Sequence, residues 1–193
     1  MKRIIGLTGG IATGKTTVAN YLASVYNLPI LDADIYAREA VSAGSLILKA
    51  IALRYGEDIL LGDGSLNRHK LGEIIFTNPQ ERSWVDNLIH PYVREKFIQE
   101  INASLELIIV LVVPLLFEAH MTDLVTEIWV VFCSQQQQIE RLIQRNNLTF
   151  DQATARINSQ MSITEKVEKA DVVLDNSSSL EFLLEQINIA FIG

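Results

Sequence analysis

One cysteine, Cys133, occurs in the whole chain, so no internal disulfide can form. Its place inside the apolar run IWVVFC reads as a buried, inert thiol rather than a nucleophile. Long apolar runs are also missing: the longest, Leu107 to Phe117, falls well short of the ~18 residues of a membrane span and is broken by Pro114. The apolar residues after Lys2 and Arg3 stop at a glycine cluster, too soon for a signal-peptide core. Positive charge is in the minority, with 16 Lys and Arg against 23 Asp and Glu and a formal charge of −7. That balance argues against a general nucleic-acid binder, which needs a basic face to displace counterions, so any anionic ligand must be held by a local pocket. Internal repeats, low-complexity segments and linkers rich in Gly, Pro or Ser are absent too. These absences lead to the expectation of a protein with no membrane or nucleic-acid partner, in a reducing compartment such as the cytoplasm.

What is present is the composition of a folded globular chain: 193 residues, 49% hydrophobic and 20% charged. Five short β-rich runs stand out, at 3–8, 28–32, 107–113, 128–132 and 171–176. Most are continuously apolar, the pattern of strands covered on both faces in a parallel sheet. Helix-length segments with start signals alternate with them, including TTVANYLASVY, SQQQQIERLIQRN and SLEFLLEQINIAF. The class is therefore α/β, in one domain spanning 1–193. The interval of about 34–106 is too long for a single crossover helix and is expected to form an inserted helical region beside the sheet, the natural place for a second substrate. A smaller helical excursion, about 134–165, carries Arg141, Arg145 and Arg156.

The stretch GGIATGKTT, 9–17, contains the full G-x-x-x-x-G-K-[ST] phosphate loop, and it stands between an apolar strand and a segment of helical character. Successive backbone N–H groups and a helix N-terminus then converge on one anion. Gly10, Ala12, Thr13, Gly14, Lys15, Thr16 and Thr17 are the candidate nucleotide contacts. In such a loop the lysine reaches the β- and γ-phosphates and the Thr16 hydroxyl ligates Mg²⁺, so ATP or GTP is the expected ligand. A nucleotide loop alone does not name a reaction. No N/T-K-x-D segment of the kind that reads guanine is present, which disfavours a GTPase switch.

The stretch LDADIYAR, 31–38, places Asp32 at the end of the second apparent strand and Asp34 two residues on. Ligands of open α/β sheets sit beyond the carboxyl ends of strands. In extended backbone, residues two apart face one side, so both carboxylates can point into one cleft. One would orient Mg²⁺ or its waters and the other would take the proton of an acceptor hydroxyl, while Arg38 would hold an anionic part of the acceptor; spacing does not say which acid does which. Asp34 also fits a helix N-cap with Arg38 as its helix-face partner.

GLTGGIATGKTTVA, DADIYAR, LNRHKLGEIIF, IHPYVRE, VPLLFE, RLIQRN, ARINSQ and ADVVLDNS follow one another through nearly the whole chain, and in that order they resemble the dephospho-coenzyme A kinase family. The resemblance implies ATP-dependent phosphorylation of the ribose 3′-hydroxyl of dephospho-CoA with Mg²⁺. It also implies a three-layer P-loop fold with a five-stranded parallel sheet, a helical CoA-accepting region and a helical lid. By the same resemblance Asp34 would be the general base or hydroxyl-orienting group, Asp32 would assist the metal and its water, and His90 of the H-P pair, which also reads as a packed or capping histidine, would lie on the substrate side. One departure is that the family commonly has Gly-Ser where this chain has Ala12-Thr13, from which modest changes of loop geometry are expected.

Arg141 and Arg145, four apart, share a helix face suited to clamping phosphates, though a solvated face reads the same way. Leu115, Leu116 and Phe117 are candidates to line the acceptor site or to be core, and Glu118 to orient a polar group. His69 and His120 have no partner spacing for a metal. Two rival readings stand: another small-molecule kinase of this fold, acting on nucleoside monophosphates or sugar acids, and a nucleotide-dependent regulatory protein, which would have no need of acids beside an acceptor hydroxyl.

Overall fold

The computed structural model describes residues 2–193. They form two compact units, one of residues up to Asp32 together with Ser104–Gly193, the other Ala33–Ala103.

The first unit is built on five parallel strands: β1 (Arg3–Gly9), β2 (Ile30–Asp32), β3 (Ile108–Val112), β4 (Glu127–Phe132) and β5 (Val172–Asp175), in the order β2-β3-β1-β4-β5. The apolar runs at 3–8, 107–113 and 128–132 are the three central strands, which is why their residues are apolar without alternation. The other two runs form the shorter strands β2 and β5, which are the edges. Helices α1 (Lys15–Tyr26), α6 (Gln135–Asn146), α7 (Phe150–Asn158), α8 (Ile163–Glu168) and α9 (Leu180–Ile192) complete this unit.

Alpha-helices α1 and α9 pack on the sheet through Val18, Leu22, Leu183 and Ile187, against Ile5, Leu7, Val110, Trp129 and Val131, all fully buried. Val18 and Leu22 are four apart and so present one face of α1 to the strands. Asn27 ends α1 in the left-handed conformation, φ 51°, with its N–H returned to Leu22 O. Asp32 is in register with Val112, and Val112 with Leu7, so β2 and β3 finish level with Leu7, while β1 runs on through Thr8 and Gly9 into the phosphate loop.

The second unit holds α2 (Ala33–Ala40), α3 (Leu46–Tyr55), α4 (Arg68–Thr77) and α5 (Pro79–Ala103). Its core includes Val41, Leu48, Ile51, Ile59, Leu71 and Val85. Tyr36 of α2 meets Phe97 of α5 edge to face, with ring centroids 5.3 Å apart. Arg54, at the end of α3, forks onto Glu81 of α5 at 2.7 and 2.8 Å, and the Tyr55 hydroxyl donates to the same carboxylate at 2.6 Å. These bonds hold Glu81 well below the usual carboxylate range, at about 2, while burial and the neighbouring carboxylate push Tyr55 up to about 12. Helix α5 runs through Pro91, which takes one hydrogen bond out of the helix interior.

Candidate active site

The loop that follows β1 is shaped by residues an ordinary side chain would not allow. Gly9 has φ +145° with the Val131 carbonyl of β4 against its α-carbon, and Gly14 has φ +105° with Asn176 Nδ2 in the space a β-carbon would fill. Ala12, one of the two positions at which the sequence departs from the motif it resembles, adopts the same hand at φ 60°. An L-residue there carries roughly 1–2 kcal/mol of strain. The departure seen in the sequence is thus a strained position in the fold, offset in part by packing of Ala12 with Ile11 against Ile139 and Leu142 of α6.

Thr13 is fully buried, and its Oγ1 donates to Gly10 O at 2.9 Å. Lys15 arches back over the loop and donates from Nζ to Gly9 O at 2.9 Å and Gly10 O at 2.7 Å. Helices α3, α4, α6, α7, α8 and α9 begin at a Ser, Thr or Asn whose side chain accepts from the first turn, whereas α1 begins at Gly14 with no side-chain cap and no acid in its first turn. A helix start with neither a side-chain cap nor an acid suits an anion, and the Lys15 ammonium lies beside it. Thr16 and Thr17 are exposed on that first turn.

The loop is braced from the opposite side. Arg141 of α6 donates from Nη1 to Ala12 O at 3.3 Å and Thr13 O at 3.4 Å, and from Nη2 to Asn176 O at 2.9 Å. Asn176, just past β5, donates from Nδ2 to Thr13 O at 2.8 Å. Arg141 thus sits against the loop's own carbonyls. Arg145, one turn along, is exposed and donates to Asn146 Oδ1 at 3.0 Å. Cys133 is buried beneath Arg141, and burial pushes its thiol up, as expected of an inert core cysteine.

Asp32 ends β2 and is half-buried. Asp34 lies not in extended backbone but in the first turn of α2, with Arg38 in its last turn, both exposed. The two-residue alternation therefore does not govern the direction of Asp34; the helix begins too early for it. An acid at the start and a base at the end of α2 also complement its dipole. His90 is partly buried on α5, its Nε2 3.9 Å from Asp86 Oδ1 one turn back. Leu116 is fully buried and packs toward Gly6 of β1, which makes it a core residue; Leu115 and Phe117 are half-buried.

Sequence reasoning gave no part to Asn176, Gln160 and Lys166, which the fold brings to this region beside Arg141. Asn176 and Arg141 brace the loop, Gln160 Oε1 accepts from the Ile11 amide at 3.0 Å, and Lys166 pairs with Glu118 at 2.9 Å. Asn176 and Gln160 stood in the segments ADVVLDNS and ARINSQ, so their positions were marked but their contacts were not. Gln138, 1% exposed behind Gly10, carried no signal beyond being a polar residue on a helix. Among the described residues no group of three or more His, Cys, Asp or Glu is placed to hold a metal, and no helix is long and apolar enough to cross a membrane.

Comparison with known proteins gives a consistent result. The family described as dephospho-CoA kinase matches residues 3–181. A dephospho-CoA kinase from Nostoc sp. is 69% identical over 189 residues, which cover 98% of this chain and 96% of that protein. Among solved structures, TT1252 from Thermus thermophilus superposes with a TM-score of 0.84 at 30% identity, covering 99% of this chain and 96% of that one. The dephospho-CoA kinase from Campylobacter jejuni superposes with a TM-score of 0.72 at 26% identity, covering 100% and 96%.

Proposed function

Because this chain belongs to the dephospho-CoA kinase family, we propose that its phosphate loop holds ATP while the γ-phosphoryl group passes to the ribose 3′-hydroxyl of dephospho-CoA, giving coenzyme A and ADP, the last step of coenzyme A synthesis. The observation that carries this reading is the glycine-shaped loop ending at an uncapped helix, with Lys15 over it. In the reaction the acceptor oxygen bonds to the γ-phosphorus as the bond from that phosphorus to the bridging oxygen breaks, and the hydroxyl proton leaves to a carboxylate. Asp34 is assigned as that base and Asp32 as its partner toward metal-bound water.

Catalysis here is mostly positioning and charge, since the transferred group asks little covalent chemistry of the protein. Lys15, the first-turn amides and Gly10, Ala12, Thr13, Gly14, Thr16 and Thr17 hold the phosphates. Arg141 keeps the loop in shape, and Arg145 is assigned to the nucleotide from the exposed face of α6. Arg38, His90, Leu115 and Phe117 are assigned to the acceptor. For Mg²⁺ the donors at hand are the Thr16 hydroxyl and the Asp32 carboxylate. Such hard oxygen donors, too few to form a cage, suit a cation that keeps waters and takes its other ligands from the nucleotide. When bound, Mg²⁺ neutralises charge on the β- and γ-oxygens.

The test is ADP release by the purified protein with Mg-ATP, comparing dephospho-CoA with AMP, CMP, gluconate, shikimate and water, and identifying products by mass. Coenzyme A formed well above the rest is the expected result. A preference for another acceptor would place the chain among other kinases of this fold, and ATP binding without transfer would favour the regulatory reading. Lys15→Ala is expected to lose both ATP binding and turnover; unimpaired ATP binding would mean that the loop has been misread.

A further inference from the structure

The segment after α7 is tied to the loop and to the end of β3 by side chains that have no task in the reaction as described so far. Gln160 Oε1 accepts from the Ile11 amide at 3.0 Å, within the loop itself. No hydrogen bond among the described residues occupies its Nε2. One residue on, the Met161 amide donates to Glu118 Oε1 at 2.9 Å. Lys166 of α8 also holds Glu118, with Nζ 2.9 Å from the same Oε1 and 3.2 Å from Oε2, and donates to Pro114 O at 2.8 Å. That carbonyl also accepts from the Thr8 hydroxyl at 3.3 Å, one residue before Gly9. The exits of β1 and β3 and the 160–166 segment therefore meet at one carbonyl and one carboxylate.

The side chain of Lys166 is 0% exposed and that of Glu118 is 23% exposed. A buried ammonium pays a large desolvation cost, and an apolar residue of similar volume often serves stability as well or better. Stability is thus a poor reason for this lysine, whereas fixing geometry is a good one. Full burial also keeps Lys166 away from any ligand, so whatever it does for the reaction passes through Glu118 and Pro114.

We propose that Lys166 and Glu118 are positioning residues for phosphoryl transfer: by holding the Met161 amide they fix Gln160 on the phosphate loop, and Gln160 Nε2 donates to the phosphoryl group in transfer. This rests on the reading of residues 9–16 as the ATP site of a phosphotransferase. Transfer gains most from donors set in place beforehand around the equatorial oxygens. A carboxamide with one half pinned to the Ile11 amide is such a donor, because little rotamer freedom remains to be lost when the phosphate arrives.

The experiment is steady-state kinetics with Mg-ATP and dephospho-CoA on the wild type, Gln160→Ala, Glu118→Gln, their double variant and Lys166→Met. Gln160→Ala is expected to lower kcat about 100-fold, the scale of one lost transition-state donor, with both KM values within about threefold. Glu118→Gln is expected to lower kcat about tenfold, and the double variant to be no slower than Gln160→Ala, because the carboxylate acts through that residue. Lys166→Met should match Glu118→Gln; if it does not fold, Glu118→Gln alone decides, since that side chain is partly exposed. A merely structural pair would lower thermal stability and give effects that multiply in the double variant. Multiplied effects, or wild-type kcat in Gln160→Ala, overturn the proposal. A wild type that leaves dephospho-CoA unphosphorylated overturns the functional reading beneath it, and is recognised in the same assay before any variant is compared.

Discussion

Replacing Gly14 by alanine tests the loop most directly. The residue has φ +105°, and its missing β-carbon leaves the space that Asn176 Nδ2 occupies while donating to Thr13 O at 2.8 Å. An alanine adds roughly 1–2 kcal/mol of backbone strain, and displacing Asn176 forfeits a hydrogen bond worth about 1 kcal/mol. The free protein escapes much of this by letting the loop rearrange, but ATP binding must restore the closed loop, so a cost of about 2–3 kcal/mol falls on affinity. At about 1.4 kcal/mol per tenfold, the Kd for ATP should rise roughly 30- to 150-fold. Titration calorimetry with ATP measures it. Gly10→Ala is the control: its β-carbon would lie 2.7 Å from Gln138 Oε1, the end of a flexible side chain, with no unusual φ to strain, and a loss of under about tenfold is expected. An affinity within about threefold of wild type in Gly14→Ala, or a greater loss in Gly10→Ala, would refute the geometry argued for the loop.

Asp34→Asn should leave ATP affinity nearly intact while lowering kcat by about 10²- to 10⁴-fold, because only the proton's acceptor changes; near-normal turnover would remove the assignment. Arg141→Lys keeps the charge but loses the fork that reaches Ala12 O, Thr13 O and Asn176 O together, so ATP affinity should fall about tenfold, and an unchanged value by the same calorimetry would show that the brace is dispensable. Glu81 is held at about 2, below its ordinary 4.5, so the stability it contributes is complete above pH 4.5 and is lost as pH falls through that range toward about 2. Glu81→Gln should flatten the dependence of urea-induced unfolding on pH in this window, and parallel profiles for the two proteins would contradict the assignment.

The sequence by itself determined the sheet and the nucleotide loop. Continuous apolar runs at 3–8, 107–113 and 128–132 fit strands covered on both faces in a parallel sheet, and G-x-x-x-x-G-K-T between strand and helix matches the phosphate-loop pattern. Both signals are local, carried by neighbouring residues whose spacing is the structure. The bracing of the loop was different. Arg141 was legible as a basic residue on a helix face, yet its partners Ala12, Thr13 and Asn176 lie 129, 128 and 35 residues away, and only the packing of α6 between the loop and β5 brings them together. The backbone of Asp34 depended on whether α2 starts at residue 33 or a few residues later, a choice that the alternation of side chains cannot make. Gln160 and Lys166 are polar residues in a segment without a strong period, and their meaning comes from Ile11, 149 residues upstream of Gln160, and from Pro114 and Glu118, 52 and 48 residues upstream of Lys166. Hydrogen bonds that close over such distances are set by the path of the chain in three dimensions, so the tertiary structure alone decided them.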